Sequence, residues 1–262
     1  MSDLLKVSLV QSELIWGDVE ANLNHFSELL GKIEEESDLI VLPEMFTSGF
    51  LMKNKDKVSP FAEMTISWMQ KWASQLQTVI LGSIIVEENS EYYNRLYVVN
   101  AEGVMAHYDK RHLFRMGEEE KHFRAGNERV IFTIGKWRIC PLVCYDLRFP
   151  VWSRGVDEYD LLLYVANWPQ PRREVWNTLL KARAIENQSY VIGVNRVGED
   201  GMNLSYTGDS SLFDAKGKLL TKCEDHKTII QTYSISLSQL NNFRTKFPVH
   251  LDADSFQINK YY

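Results

Sequence analysis

The stretch Trp137-Arg138-Ile139-Cys140-Pro141-Leu142-Val143-Cys144-Tyr145-Asp146-Leu147-Arg148-Phe149-Pro150 changes character at its middle. Trp137 to Val143 is an apolar, β-type run, joined by a tight Gly135-Lys136 turn to an earlier one at Val130 to Ile134. It stops at Cys144. A cysteine ending a strand is, taken alone, usually a small buried apolar group. Two other segments repeat the arrangement. Leu39-Ile40-Val41-Leu42 runs into Pro43-Glu44-Met45-Phe46, and Val104 to Tyr108 runs into Asp109-Lys110-Arg111-His112-Leu113-Phe114. Singly, these read as a solvated loop glutamate and a surface lysine. Strand ends in α/β folds, however, are where loops converge over a rigid sheet, so the three positions together point to a site. Their chemistry coheres. A carboxylate can take a thiol proton, an ammonium can stabilise thiolate and oxyanion, and a thiolate can attack a carbonyl carbon.

Around these segments short apolar runs alternate with longer helical patterns. Lys6 to Val10 reads as a strand, and Asp18 as the cap of a helix with the stripe Leu23, Phe26, Leu30 and Ile33. A second helix covers Phe61 to Gln75, ahead of a strand at Val79 to Val86. Arg95 to Asn100 and Val104 to Tyr108 flank Ala101-Glu102-Gly103 as a hairpin. Arg111 to Asn127 is polar and aperiodic, and a loop of that length inside a compact domain is functional or disordered. Leu161 to Val165 is a strand, followed by a helix over Arg172 to Gln188 with Val175, Trp176, Leu179 and Ala182 inward. Tyr190 to Val194, Ser205 to Phe213, Lys218 to Thr221 and Thr228 to Tyr233 complete the strands. With no internal repeat and no Pro/Gly/Ser linker, one α/β domain over residues 1–262 is expected.

Composition narrows the function classes. A chain of 262 residues, 45% hydrophobic, suits one large core. Its net charge of -6 gives no general attraction to nucleic acid or to an anionic membrane. Met1-Ser2-Asp3-Leu4-Leu5-Lys6 lacks the basic start and apolar core of a signal peptide, and no apolar run approaches the ~20 residues that span a bilayer. A cytoplasmic protein is expected. Cys140, Cys144 and Cys223 are an odd, sparse set, unsuited to a disulfide framework. No clustered Cys/His spacing suggests zinc, and no metal is expected.

The three strand-end segments, in their order, resemble the signature blocks of the nitrilase (carbon–nitrogen hydrolase) superfamily, whose catalytic set is Glu–Lys–Cys. The match falls on Glu44, Lys110 and Cys144. Tyr93-Asn94-Arg95, Ala182-Arg183-Ala184-Ile185-Glu186-Asn187 and Thr207-Gly208-Asp209-Ser210 extend it over nearly the whole chain. The resemblance implies a single-domain α-β-β-α four-layer sandwich that pairs as a homodimer, with Lys246 to Leu251 reaching toward the partner. It also implies acyl transfer through a thioester without metal or organic cofactor. Glu44 serves as general base, while Lys110 and the backbone N–H of Tyr145 hold the oxyanion. A second glutamate of the family, in the loop after the lysine, matches Glu119 better than Glu118 or Glu120, by its distance to Phe123-Arg124-Ala125-Gly126.

Val143 to Pro150, Tyr164-Val165-Ala166-Asn167-Trp168-Pro169 and Lys110 to Phe114 look most like the ω-amidase branch, which acts on the terminal amide of 2-oxoglutaramate or 2-oxosuccinamate. Such a small-molecule substrate carries a carboxylate that a guanidinium can bind through two hydrogen bonds. Arg148, four residues after Cys144, matches the branch's carboxylate-binding arginine; its rival reading is an ion pair with Asp146. Arg172 and Arg173 stand second. Phe46 and Trp168 are expected to wall the pocket, and Arg183 with Glu186 to form an i, i+3 support. Alternatives are another amidase of the superfamily, acting on an aliphatic amide, nitrile or N-carbamoyl amine, and a catalytically silent scaffold with the same fold.

Overall fold

The computed structural model describes residues 3–155 and 157–258, so the ends of the expected 1–262 domain lie outside the described residues. The first half of the chain forms β1 (Leu4–Gln11), α1 (Val19–Leu30), β2 (Leu39–Val41), α2 (Ala62–Leu76), β3 (Val79–Glu88), β4 (Glu91–Asn100) and β5 (Gly103–Asp109). After a long loop come β6 (Phe132–Ile134), β7 (Trp137–Val143), β8 (Leu161–Ala166), α3 (Arg173–Asn187) and β9 (Tyr190–Asn195). A small hairpin, β10 (Val197–Glu199) and β11 (Ser205–Thr207), precedes β12 (Ser211–Phe213), β13 (Leu219–Lys222), β14 (Ile229–Ser236) and α4 (Leu237–Lys246).

Two six-stranded sheets result, in the orders β14-β1-β2-β3-β4-β5 and β13-β12-β9-β8-β7-β6. Each has a parallel trio at its centre, β1-β2-β3 in one and β7-β8-β9 in the other, flanked by antiparallel strands. Alternation along the strands sorts the first sheet's faces. Leu5, Val7, Leu9, Leu39, Val41, Val79 and Leu81 share a core with the second sheet, whereas Ile40, Ile80 and Ile84 pack with Leu23 and Phe26 of α1 and Met69 of α2. On the second sheet, Trp176 and Leu180 of α3 lie directly over the bare backbone of Gly193. The layers are therefore helix, sheet, sheet, helix, as expected from the family resemblance.

Three details differ from the sequence reading. The run from Ser205 to Phe213 is two strands, because Gly208 and Asp209 take left-handed φ values of 88° and 60° and break the ladder between them. On α3 the buried residues are Trp176, Leu180, Arg183, Ala184 and Asn187, a face rotated from the expected one. A buried arginine causes the rotation: Arg183 pairs with Glu186 at 3.0 Å and donates to the Leu147 carbonyl at 2.7 Å. Helix α4 was not expected. It buries only Leu237, Leu240 and Arg244 and so shows little apolar stripe.

Candidate active site

Glu44, Lys110 and Cys144 arrive from different strands and meet. Glu44 follows β2 in a turn held to β3, where Met45 N–H donates to Ser83 Oγ at 2.9 Å and Phe46 N–H to the Ser83 carbonyl at 3.1 Å. Lys110 follows β5, its N–H donating to the Asn94 carbonyl and its own carbonyl accepting from Gly126 N–H. Gly126 can be nothing larger there: a Cβ would lie 2.1 Å from the Asp109 carbonyl oxygen. Cys144 follows β7 and opens a short 3-10 turn, Cys144–Arg148, with φ at 46°.

The ionic geometry is compact and dry. Lys110 Nζ lies 3.0 Å from Glu44 Oε1 and 2.9 Å from Glu119 Oε2, with all three side chains fully buried. Glu119 also accepts from the Phe114 N–H at 2.6 Å, which ties the polar loop to the lysine. Glu118, by contrast, pairs with Lys121 on the surface. Glu44 Oε1 accepts a second bond from Asn94 Nδ2 at 2.8 Å, and Oε2 accepts from the Asn167 N–H at 2.8 Å. Asn167 Nδ2 donates to the Glu44 carbonyl at 2.7 Å. Cys144 Sγ sits 4.0 Å from the Asn167 carbonyl oxygen.

Two negative charges face one positive charge around the thiol. Burial, then Glu44, push the Cys144 thiol well above its ordinary value, against the opposing pull of Lys110. Burial and the neighbouring carboxylates thus favour the thiol form of the sulfur, and Glu44 stands beside it as an acceptor for its proton. Burial alone would lower Lys110, but the Glu119 and Glu44 carboxylates outweigh it and keep the ammonium charged. Burial raises Glu119, with Lys110 pulling the other way.

A cavity of about 410 Å³ opens over Cys144. Tyr145, Arg148, Trp168 and Arg172 line it, as expected. The Arg148 guanidinium lies 5.2 Å from the Trp168 ring centre, and that of Arg172 lies 5.2 Å from the Phe114 ring centre. Neither guanidinium forms an ion pair among the described residues. Asp146 does not hold Arg148; its carboxylate is taken by Val143, Tyr108 and His112. Arg173 is held away from the cavity by Asp209 and Asp225.

Phe46 is a correction. It is fully buried, edge-on to Phe26 and tilted against Trp68, so its ring fills the core beneath the helices instead of the pocket. Phe50, further along the same turn, lines the cavity and lies 5.2 Å beneath Lys110 Nζ. Asn94 and Asn167, which anchor Glu44, were not among the expected site residues. Asn167 follows β8 directly, so the strand-end logic that picked out Cys144 could have found it. Met202, Leu204 and Tyr206 of the β10–β11 hairpin close one wall, and no sequence signal marked them.

The chain is similar to known proteins over nearly its whole length. The carbon-nitrogen hydrolase family profile matches residues 6–245. The chain is 48% identical over 254 residues to "Omega-amidase YafV" of Escherichia coli (strain K12), covering 97% of this chain and 98% of that one. It is 32% identical over 251 residues to a 2-oxoglutaramate amidase of Bacillus subtilis (strain 168), covering 94% and 96%. A crystal structure of a CN-hydrolase superfamily protein from Xanthomonas campestris, with an arsenic adduct in its active site, superposes with a TM-score of 0.95 at 41% identity, covering 99% of this chain and 100% of that one. Since the profile spans every strand and turn that supplies the buried glutamate, lysine and cysteine, this chain belongs to the carbon–nitrogen hydrolase family.

Proposed function

We propose that this protein is an ω-amidase that hydrolyses the terminal amide of a short oxo-dicarboxylic acid monoamide, 2-oxoglutaramate foremost, to the acid and ammonia. Glu44 takes the thiol proton as Cys144 Sγ attacks the amide carbon. Lys110 Nζ and the Tyr145 N–H hold the tetrahedral oxyanion. Collapse breaks the C–N bond, and the proton on Glu44 leaves with ammonia. Water, deprotonated by Glu44, then attacks the thioester and releases the acid. Glu119 keeps Lys110 charged and in place throughout.

The observation that carries the substrate class is Arg148: an unpaired guanidinium over Trp168, in the same cavity as Cys144. A half-buried guanidinium with no ion-pair partner among the described residues favours a carboxylate-bearing ligand, and Arg172 stands as a second donor. The relatives named ω-amidase and 2-oxoglutaramate amidase support the same reading. An aliphatic amide or a simple nitrile offers no group for Arg148, and a silent scaffold would not need the buried charges. Ammonia release from a panel of amides tests this. 2-Oxoglutaramate leads the panel, and Arg148→Ala raises its KM by about tenfold or more, the worth of a charge-assisted bond, while barely changing slow turnover of an uncharged amide. Equal losses on both substrates contradict the assignment.

Among the described residues no helix is long and apolar enough to cross a membrane. The three free, buried cysteines support a reducing, cytoplasmic location. For the homodimer, support comes from large apolar side chains left exposed near the end of α3 and beyond α4, Ile185, Phe247 and Leu251. Sedimentation velocity showing only monomer at assay concentrations contradicts that pairing.

A further inference from the structure

One buried carboxylate joins the two turns that carry Cys144 and Lys110. Asp146, two residues beyond the cysteine, is fully buried, and among the described residues no lysine or arginine pairs with it. Its Oδ2 accepts from the Val143 N–H at 3.0 Å and from the Tyr108 hydroxyl at 2.8 Å. Its Oδ1 accepts from the His112 N–H at 2.9 Å and faces His112 Nδ1 at 2.8 Å. Tyr108 and His112 stand two residues before and two residues after Lys110. The carboxylate that pins the residue before the nucleophile is thus gripped from both sides of the lysine.

Other contacts stiffen the link. The Tyr108 hydroxyl accepts from Trp152 Nε1 at 3.0 Å, and the His112 ring stacks on Phe149 at 3.7 Å, within 6° of parallel. Phe149 N–H in turn donates to the Asp146 carbonyl at 3.0 Å. Tyr108 and Asp146 are shut away from solvent, while the His112 side chain remains 23% exposed.

We propose that His112 is a positioning residue for the amide hydrolysis: through Asp146 it sets the placement of the Cys144 sulfur against the Lys110 ammonium. This rests on the reading of Glu44, Lys110 and Cys144 as the reacting set. Cys144 holds a left-handed φ of 46°, which a non-glycine residue keeps only where its surroundings over-determine it. Without the ring donor, Asp146 Oδ1 keeps a single backbone bond from this loop. The carboxylate can then turn, and its hold on the Val143 N–H loosens. Displacing a reacting group by about 1 Å costs on the order of a hundredfold in rate.

The test compares His112→Phe, which keeps the stack on Phe149, with His112→Asn, which keeps a donor in the place of Nδ1. Two rates are read: turnover of 2-oxoglutaramate, and alkylation of Cys144 by iodoacetamide, which reports the same geometry without the substrate. His112→Phe lowers kcat by about tenfold to a hundredfold with KM within about twofold, and slows alkylation in step. His112→Asn recovers most of both, at a melting temperature close to that of His112→Phe. Unchanged rates in His112→Phe overturn the proposal, as does an Asn variant no better than the Phe variant. Should His112→Phe fail to fold, Tyr108→Phe removes the opposite grip and is expected to show the same paired loss; unchanged rates there overturn it equally. If the unaltered enzyme is alkylated at Cys144 yet leaves 2-oxoglutaramate intact, the substrate reading fails and the clamp is judged by alkylation alone.

Discussion

Cys144 holds its left-handed backbone while its sulfur is screened from water, and the two conditions work together. Cys144 lines the cavity from this bend, and burial, with Glu44, raises its thiol above the ordinary range. Glu119 balances this from the other side. Glu119→Gln retains an acceptor for the Phe114 N–H but removes a charge from Lys110. Lys110 is held up by Glu119 and Glu44, so losing one carboxylate brings its pKa down. The variant is expected to lose about tenfold or more in kcat, and its activity falls off at lower pH on the alkaline side. A pH–rate profile checks it; an alkaline limb that stays in place contradicts the role given to Glu119. At this scale Glu44, Lys110 and Cys144 were legible only as a set: each ends a strand, but singly each reads as an ordinary loop, surface or core residue, and the family resemblance joined them. Asn94 and Asn167 were illegible as partners of Glu44, because an amide that orients a carboxylate looks like any other asparagine until the fold brings them together.

The element that most shapes the site is the loop between β5 and β6. Read as polar and aperiodic, it proves ordered, with short 3-10 turns at Arg115–Gly117 and Glu119–Lys121. It supplies Phe114 and Met116 to the cavity and Glu119 to the lysine. Its return to β5 depends on Gly126. A methyl there collides with the Asp109 backbone, which cannot move without dragging Lys110. Gly126→Ala is expected to destabilise by about 1–3 kcal/mol, as overpacking does, and to lower activity more than stability alone explains. Thermal melting and kcat measured together check this; a variant with the native melting point and rate contradicts it. Helix and strand positions were largely legible because period and burial agree, as in α1, whose cap at Asp18 accepts from Ala21 N–H at 2.9 Å. Where a charged residue occupies the inner face, as Arg183 and Arg244 do, apolar periodicity misplaces or misses the helix. Phe46 shows the converse: an aromatic two residues beyond Glu44 went to the core, where it and Met45 pack together beneath α1 and α2.

For the whole molecule, the two stacked sheets explain why a carbon–nitrogen hydrolase site can be this dry: the residues enter from strand ends of both sheets, and loops close above them. The four-layer architecture came from family resemblance, since strand patterns alone implied only a mixed α/β domain. Burial elsewhere has a measurable consequence. It pushes the Cys140 and Cys223 thiols from 9.0 up to about 12. Between those values the folded chain keeps protons that the unfolded chain has released, so stability declines as pH rises. Each thiol contributes up to about 1.4 kcal/mol per pH unit. Urea unfolding across that window checks it: Cys223→Ala should flatten the decline, and a slope unchanged by the substitution contradicts the linkage.

The central claim, that Cys144 is the nucleophile of a cysteine-dependent amide hydrolase, is tested most directly by ammonia release from 2-oxoglutaramate by Cys144→Ala. The side chain sits in a cavity wall, so the fold should survive and the melting temperature should stay near that of the unaltered protein. The account predicts a loss of about a thousandfold or more in kcat, as when other covalent nucleophiles are removed. A folded Cys144→Ala protein that releases ammonia at a rate close to that of the unaltered enzyme contradicts it.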